Sequence, residues 1–303
     1  MFLGAIAAVA VTGCAIDQGS LLTSVHVWGE TGVRKGQFKR PRAIAAWRDE
    51  VFVIDTTGRM QVFDPDGEFL RSWVLPKIDN GTPTGITPVE DGRLLIPDTH
   101  NSRLLEYDPS GELLNMWGEY GTGENEFIYL TDVVLDDDGR YIFSEYGMDA
   151  ERVHIFTENR EFDQAWGTLG EAPGEFSRLM SIARPSDGRI YVCDTANHRI
   201  QCFEPDGELS HIIGGAGQSP GELKFPYDID VASDDTLIVC EYGNNRISRF
   251  ETSGELVGCF GRAGRAPGEF SAPRGACVSE DDVVYVADTD NDRIQRFPLG
   301  AIA

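Results

Sequence analysis

The sequence predicts an all-β fold, a six-bladed β-propeller of four-stranded antiparallel blades, on three observations. One motif recurs six times, its spacing fits four short strands, and the strand missing from the last copy stands at the other end of the chain. The motif is a hydrophobic strand, an acid, a turn, an Arg and a second strand. It reads VFVIDTTGRMQVF from Val51, LLIPDTHNSRLLEY from Leu94, IYVCDTANHRIQCF from Ile190, LIVCEYGNNRISRF from Leu237 and VVYVADTDNDRIQRF from Val283. A divergent copy, YIFSEYGMDAERVHIF from Tyr141, has a longer turn. The acids Asp55, Asp98, Glu145, Asp194, Glu241 and Asp288 follow one another at 43 to 49 residues. That is the period of a four-stranded repeat.

These two strands are the middle pair of each unit. The innermost strand precedes them: PRAIAA from Pro41, PTGITP from Pro83, LTDVVL from Leu130, LMSIAR from Leu179, PYDIDV from Pro226 and PRGACV from Pro273. The fourth follows a turn such as Pro65-Asp66-Gly67, where Gly supplies positive φ. It ends on Trp73, Trp117, Trp166, Ile213 or Phe260. The sixth unit stops after three strands, at Phe297, and VHVWG from Val25 matches the absent fourth. Pairing the two closes the ring and removes an exposed strand edge.

The pattern D-T-x-N-x-R-I-Q-x-F, followed by D-G and G-x-x-G-x-x-x-G-E-F, resembles NHL repeats from about Val25 to Phe297. The resemblance implies a propeller. It implies no single activity, because such repeats occur in protein-binding, RNA-binding, sensor and lyase proteins. The peptide α-amidating lyase domain shares the architecture and holds zinc with His on the inner strands. The matching positions here are Arg42, Thr84, Thr131, Met180, Tyr227 and Arg274, and the five histidines (His26, His100, His154, His198, His211) lie elsewhere.

A bacterial lipoprotein signal is expected ahead of the repeats. Phe2 to Val11 is apolar but too short to span a bilayer, which needs about 20 residues. Val11-Thr12-Gly13-Cys14 follows and resembles a lipobox, although no Lys or Arg precedes it. The expected division is a signal peptide over residues 1–13, a lipidated tether over 14–24 with the lipid on Cys14, and the propeller over 25–303. The expected location is the cell envelope, on the periplasmic side or the cell surface, or the cytoplasm if the signal is silent. Besides Cys14, five cysteines remain, an odd number that rules out a complete disulfide framework. Cys193 and Cys240 share a repeat position with Ile54, Pro97, Ser144 and Ala287, which suits a small buried hydrophobe.

A net charge of −24 argues against general binding to nucleic acid or anionic lipid, which depends on Lys and Arg. The repeated acid–Arg pairs read as structural hydrogen bonds across each hairpin, because a catalytic constellation would occur once. Asn101, Asn197, Asn244 and Asn291 are expected at left-handed turn positions. The segments GTLGEAPGEF from Gly167 and GRAGRAPGEF from Gly261 read as connectors, since phosphate loops precede a helix.

What differs between blades is the lining of the channel. Arg42 and Arg274 come from blades one and six, and Asp132, Tyr227 and Asp228 from blades three and five. They either solvate a water-filled channel or form a polarised pocket whose arginines hold an anionic group. A basic cluster of Arg34, Lys35, Lys39 and Arg40, with Arg262 and Arg265 in the next connector, is either ordinary surface charge or a docking site for an acidic partner. Two function classes follow. The first is a lipid-anchored extracytoplasmic module, monomeric and without cofactor, that binds a protein, peptide or glycan on one face. The second is a propeller-centre lyase or lactonase using a divalent cation on Asp132 and Asp228, two carboxylates where Ca²⁺ takes six to eight oxygens. RNA binding is disfavoured by charge.

Overall fold

The computed structural model describes residues 25–76, 80–147 and 150–302. Six four-stranded antiparallel sheets account for nearly all of it. Blade one comprises Pro41–Trp47, Glu50–Asp55, Arg59–Phe63 and Phe69–Val74, from the inside outward. Each inner strand touches that of the next blade, and the sixth, Gly275–Val278, touches the first. The ring is therefore closed. Its seam lies where the sequence puts it: His26–Trp28 is the outer strand of blade six, with His26 opposite Arg296 and Trp28 opposite Ile294. The signal and tether expected over 1–24, and Cys14 with them, lie outside the described residues.

The core lies between blades. Ile238, Cys240, Ile247 and Phe260 of blade five, for example, meet Ala276, Val284, Val286 and Phe297 of blade six, all buried. Cys193, Cys202, Cys240 and Cys277 are buried free thiols, as a small hydrophobic position requires. Blade two departs from expectation. Only Thr87–Pro88 of its inner segment pairs as strand, because Pro83 and Pro88 have no N–H and Gly85 no side chain to pack.

All six acid–Arg pairs form, from Arg246 Nε–Glu241 at 2.6 Å to Arg152 Nε–Glu145 at 3.1 Å. Each acid is a buried hub. Asp194 accepts from Ser177 N, Asn197 Nδ2, Arg199 Nε and Gln201 Nε2. Arg199 in turn holds the connector carbonyls of Ala172 and Glu175. The left-handed residue of these turns is not the expected Asn but the one after it: Ser102, His198, Asn245 and Asp292, with φ of 54° to 59°. The Asn amide is used otherwise. Asn197, Asn244 and Asn291 each donate to the hub acid and to a connector carbonyl.

The Gly-rich segments are closed loops, each plugged by a buried side chain such as Phe38, Phe127, Phe176 or Phe270. The loops' own acids occupy the N–H groups a phosphate would need: Glu175 takes Ala172 N, Glu222 takes Gln218 N and Ser219 N, and Glu269 takes Arg265 N and Ala266 N.

Candidate functional site

The channel wall owes its composition to β-bulges at the start of the inner strands. Pro41 pairs with Asp55 and Ala43 with Ile54, which leaves Arg42 outside the ladder. The register skips Thr131 between Leu130 and Asp132 in the same way, and Tyr227 between Pro226 and Asp228. A bulge re-aims one side chain without disturbing those beyond it. Ala43 is thus buried between blades while Arg42 turns to the axis. Of the six equivalent positions, Arg42, Tyr227 and Arg274 converge, Thr84 is half-buried, and Thr131 and Met180 are buried.

The convergence lies on the face that carries the acid–Arg turns. Arg274 Nη1 donates to the Tyr227 hydroxyl at 3.3 Å, and its guanidinium carbon sits 5.1 Å from the Tyr227 ring and 5.2 Å from that of Tyr242. Arg42 Nη1 donates to Thr82 Oγ1 at 3.5 Å, and its guanidinium also faces the Tyr227 hydroxyl. Both Nε atoms are buried without an acceptor, and neither guanidinium makes an ion pair among the described residues. Burial, followed by repulsion from Arg274, lowers the pKa of Arg42. The rings of Tyr129 and Tyr146 lie 5.2 Å apart and tilted by 37° in blade three, and those of Tyr227 and Tyr242 lie 5.7 Å apart in blade five. Two cations without a carboxylate partner thus lie inside an aromatic wall, an arrangement that charge-assisted hydrogen bonds to an anion would complete.

Tyr146 and Tyr242 were not among the candidates, although the sequence marks them. Blades one, two, four and six read Asp-Thr, and blades three and five read Glu-Tyr. Where Thr is present its hydroxyl can clasp the next inner strand, as Thr195 does Pro226 O and Thr289 does Pro41 O. Tyr cannot repeat that bond, and its ring instead joins the mouth.

Below this layer the channel is acidic. Asp132 Oδ2 accepts from Ser181 Oγ at 2.7 Å and from Ile182 N at 3.1 Å. Asp228 Oδ2 accepts from Ala276 N at 2.9 Å, and Asp230 Oδ2 from Val278 N at 2.8 Å. Each carboxylate therefore bridges to the inner strand of the next blade, a structural duty in place of free solvation. All three line a cavity of about 280 Å³ that runs to Trp47, Arg184 and Val278. Asp132 and Asp228 come together through Ser181, but no set of three His, Cys, Asp or Glu able to hold a metal exists among the described residues.

The basic connector cluster is partly neutralised. Arg40 pairs with Asp290 at 3.1 Å and its N–H with Asp292, Arg262 pairs with Glu269 at 2.9 Å, and Lys35 sits 5.2 Å from the Phe69 ring. Arg34, Lys39 and Arg265 are exposed. Asp290 and Asp292 of blade six thus intervene in the expected patch.

A model of the NHL repeat matches residues 181–203 and 270–297. NHL repeat-containing protein 3 of Mus musculus is 30% identical over 166 residues, covering 49% of this chain and 46% of that protein. This chain is a six-bladed propeller that carries NHL repeats. It is also similar to peptidylglycine alpha-amidating monooxygenase of Rattus norvegicus, 23% identical over 207 residues. That match covers 64% of the chain and 20% of the monooxygenase, so the NHL propeller spans about a fifth of that relative's length. Among solved structures, a streptogramin B lyase superposes with a TM-score of 0.65 at 14% identity, covering 91% of this chain and 98% of that one. A protein of unknown function from Bacteroides thetaiotaomicron reaches 0.71 at 15% identity, covering 90% and 76%. These likenesses show the fold.

The buried acids of the NHL propeller give its stability a pH dependence. Burial raises Asp132 to about 6 and Glu145 to about 7, and raises Asp228 and Asp230 as well, while burial holds His154 down at about 3. His154, kept neutral in the fold, works in the opposite sense and recovers part of the loss as pH rises to ~6.5, whereas the four raised acids keep protons in the fold that the unfolded chain releases above pH ~4. The associated stability is complete below that value and is lost as pH rises through 6 and 7. The melting temperature is expected to be higher at pH 5 than at pH 8 by about 5 °C. A flat or opposite profile by calorimetry would refute protonation of these groups in the fold.

Proposed function

We propose that this NHL propeller is a binding module that takes an anionic group of a protein, peptide or glycan into the channel mouth between Arg42 and Arg274. The supporting observation is the pair of guanidiniums without a carboxylate partner, in a chain whose net charge is −24. Intramolecular partners would be easy to supply in so acidic a protein. An unpaired, half-buried Arg costs stability and is retained where a ligand completes it. In this reading the module is extracytoplasmic and held at the membrane by lipid on Cys14, which metabolic labelling with a fatty acid would test.

Calorimetric titration with polyglutamate and polygalacturonate tests the site. Arg42→Ala with Arg274→Ala is expected to weaken at least one of them tenfold or more, because the ligand then forgoes two charge-assisted hydrogen bonds. Arg34→Ala with Lys39→Ala is expected to change it little. The Arg42→Ala protein should melt no lower than the parent, since a desolvated cation and its repulsion are removed. Equal affinity of all variants would refute the proposal. The alternative, a cation-dependent lyase or lactonase, requires stoichiometric metal that Asp132→Asn removes, and metal analysis of the purified protein reads this directly. The donor set supports it less well, because both carboxylates already accept backbone N–H groups.

A further inference from the structure

We propose that the anion is the carboxylate of a sugar acid, so that the mouth recognises an acidic glycan; this rests on the binding role proposed above. The two guanidiniums come from neighbouring inner segments, those of blades six and one, and neither meets a carboxylate among the described residues, so one small planar anionic head group can lie against both. Around them stand four half-buried or buried tyrosines in two tilted pairs, Tyr129 with Tyr146 and Tyr227 with Tyr242, the second pair against Arg274 itself. Tyr227 and Tyr146 both lie within electrostatic range of Arg42, which places the two pairs about the same cations. Phenol rings offer flat apolar faces with a polar rim. A pyranose offers the complement, a C–H face for the ring and hydroxyls for the phenol oxygens, and a uronic acid adds the carboxylate.

The other anionic polymers fit less well. Peptides are commonly gripped at a free strand edge or in a groove for a helix. This face offers neither, because the turn and connector backbone groups are taken by Asp, Asn, Gln and Arg side chains of the chain itself. A nucleic acid needs a track of cations for successive phosphates, whereas the mouth has Arg42 and Arg274 with Arg178 beside Tyr146, and the cavity beneath it is lined by Asp132, Asp228 and Asp230. That acidic floor also sets the orientation: the carboxylate stays at the arginine layer, with the remainder of the glycan directed outward over the tyrosines.

Titration of the whole protein with trimers of galacturonate, glucuronate and mannuronate, their methyl esters, and triglutamate tests this. At least one uronate is expected to bind ten times more tightly than triglutamate. Its methyl ester should lose at least tenfold, and Arg42→Ala with Arg274→Ala should abolish the difference between acid and ester. Tyr242→Ala should weaken the uronate while leaving triglutamate unchanged, and an unaltered melting temperature excludes unfolding as the reason. If triglutamate binds as well as every uronate with the same arginine dependence, the sugar is overturned and the anion site stands. If no probe depends on the arginines, both fail.

Discussion

Asp194→Ala is expected to destabilise the propeller by about 3–5 kcal/mol, the range for stripping one partner from a buried ion pair. Asp194 is fully buried and its two oxygens collect bonds from a backbone N–H, an amide, a guanidinium and a second amide. Removing them leaves Arg199 charged beside the connector it holds, with Asn197 and Gln201 also unpaired. Asp194→Asn keeps the shape and some acceptors, and should lose about half as much. Asp66→Ala, whose pair with Arg296 is exposed, should lose under about 1 kcal/mol. Chemical denaturation of the three variants gives the ranking. A loss below about 1 kcal/mol for Asp194→Ala would show that the hub is dispensable, and the repeated acid would then need another explanation.

Trp28→Ala should be the costliest apolar change at the seam, about 2–4 kcal/mol for a large, half-buried ring. The indole lies 6.3 Å from Phe63 of blade one and 6.1 Å from Tyr285 of blade six, so one residue joins the final blade to the first. Gly67 of blade one packs on it at φ +86°, where a Cβ would meet the indole at 2.6 Å. Gly111 on Trp73 and Gly207 on Trp166 repeat the contact around the ring. Trp28→Phe should be much milder, because the indole N–H is buried without a partner and phenylalanine removes that penalty. Equal losses for Ala and Phe would mean that packing at the seam is not what Trp28 provides.

The ring was legible because its signals are local and repeated. The acid–Arg spacing, the turn glycines and the VHVWG strand each carry their meaning in a few consecutive residues, and the six copies reinforce one another. Arg42, Tyr227 and Arg274 were legible as residues that follow the start of an inner strand. Their convergence was not, because for Arg42 and Tyr227 it depends on a register slip that alternation alone does not encode. Asp132 shows the other limit: its partners Ser181 and Ile182 sit in the next blade, beyond any motif, so a bridge between strands resembled a free channel acid. Tyr146 and Tyr242 were missed because they occupy a slot that is structural wherever Thr fills it. Asn197 was placed one residue early in its turn, since both Asn and the following residue suit a left-handed corner.

Closure by His26–Trp28 also has a mechanical consequence. The chain joins the ring and leaves it through the same blade, so a pull transmitted from residues before His26 falls first on three ladder positions opposite Arg296, Gln295 and Ile294. Load applied along the strand would strain them together, whereas load applied across it would break them singly. Under tension the seam is the ring's fuse, and the direction of the pull decides how soon it opens.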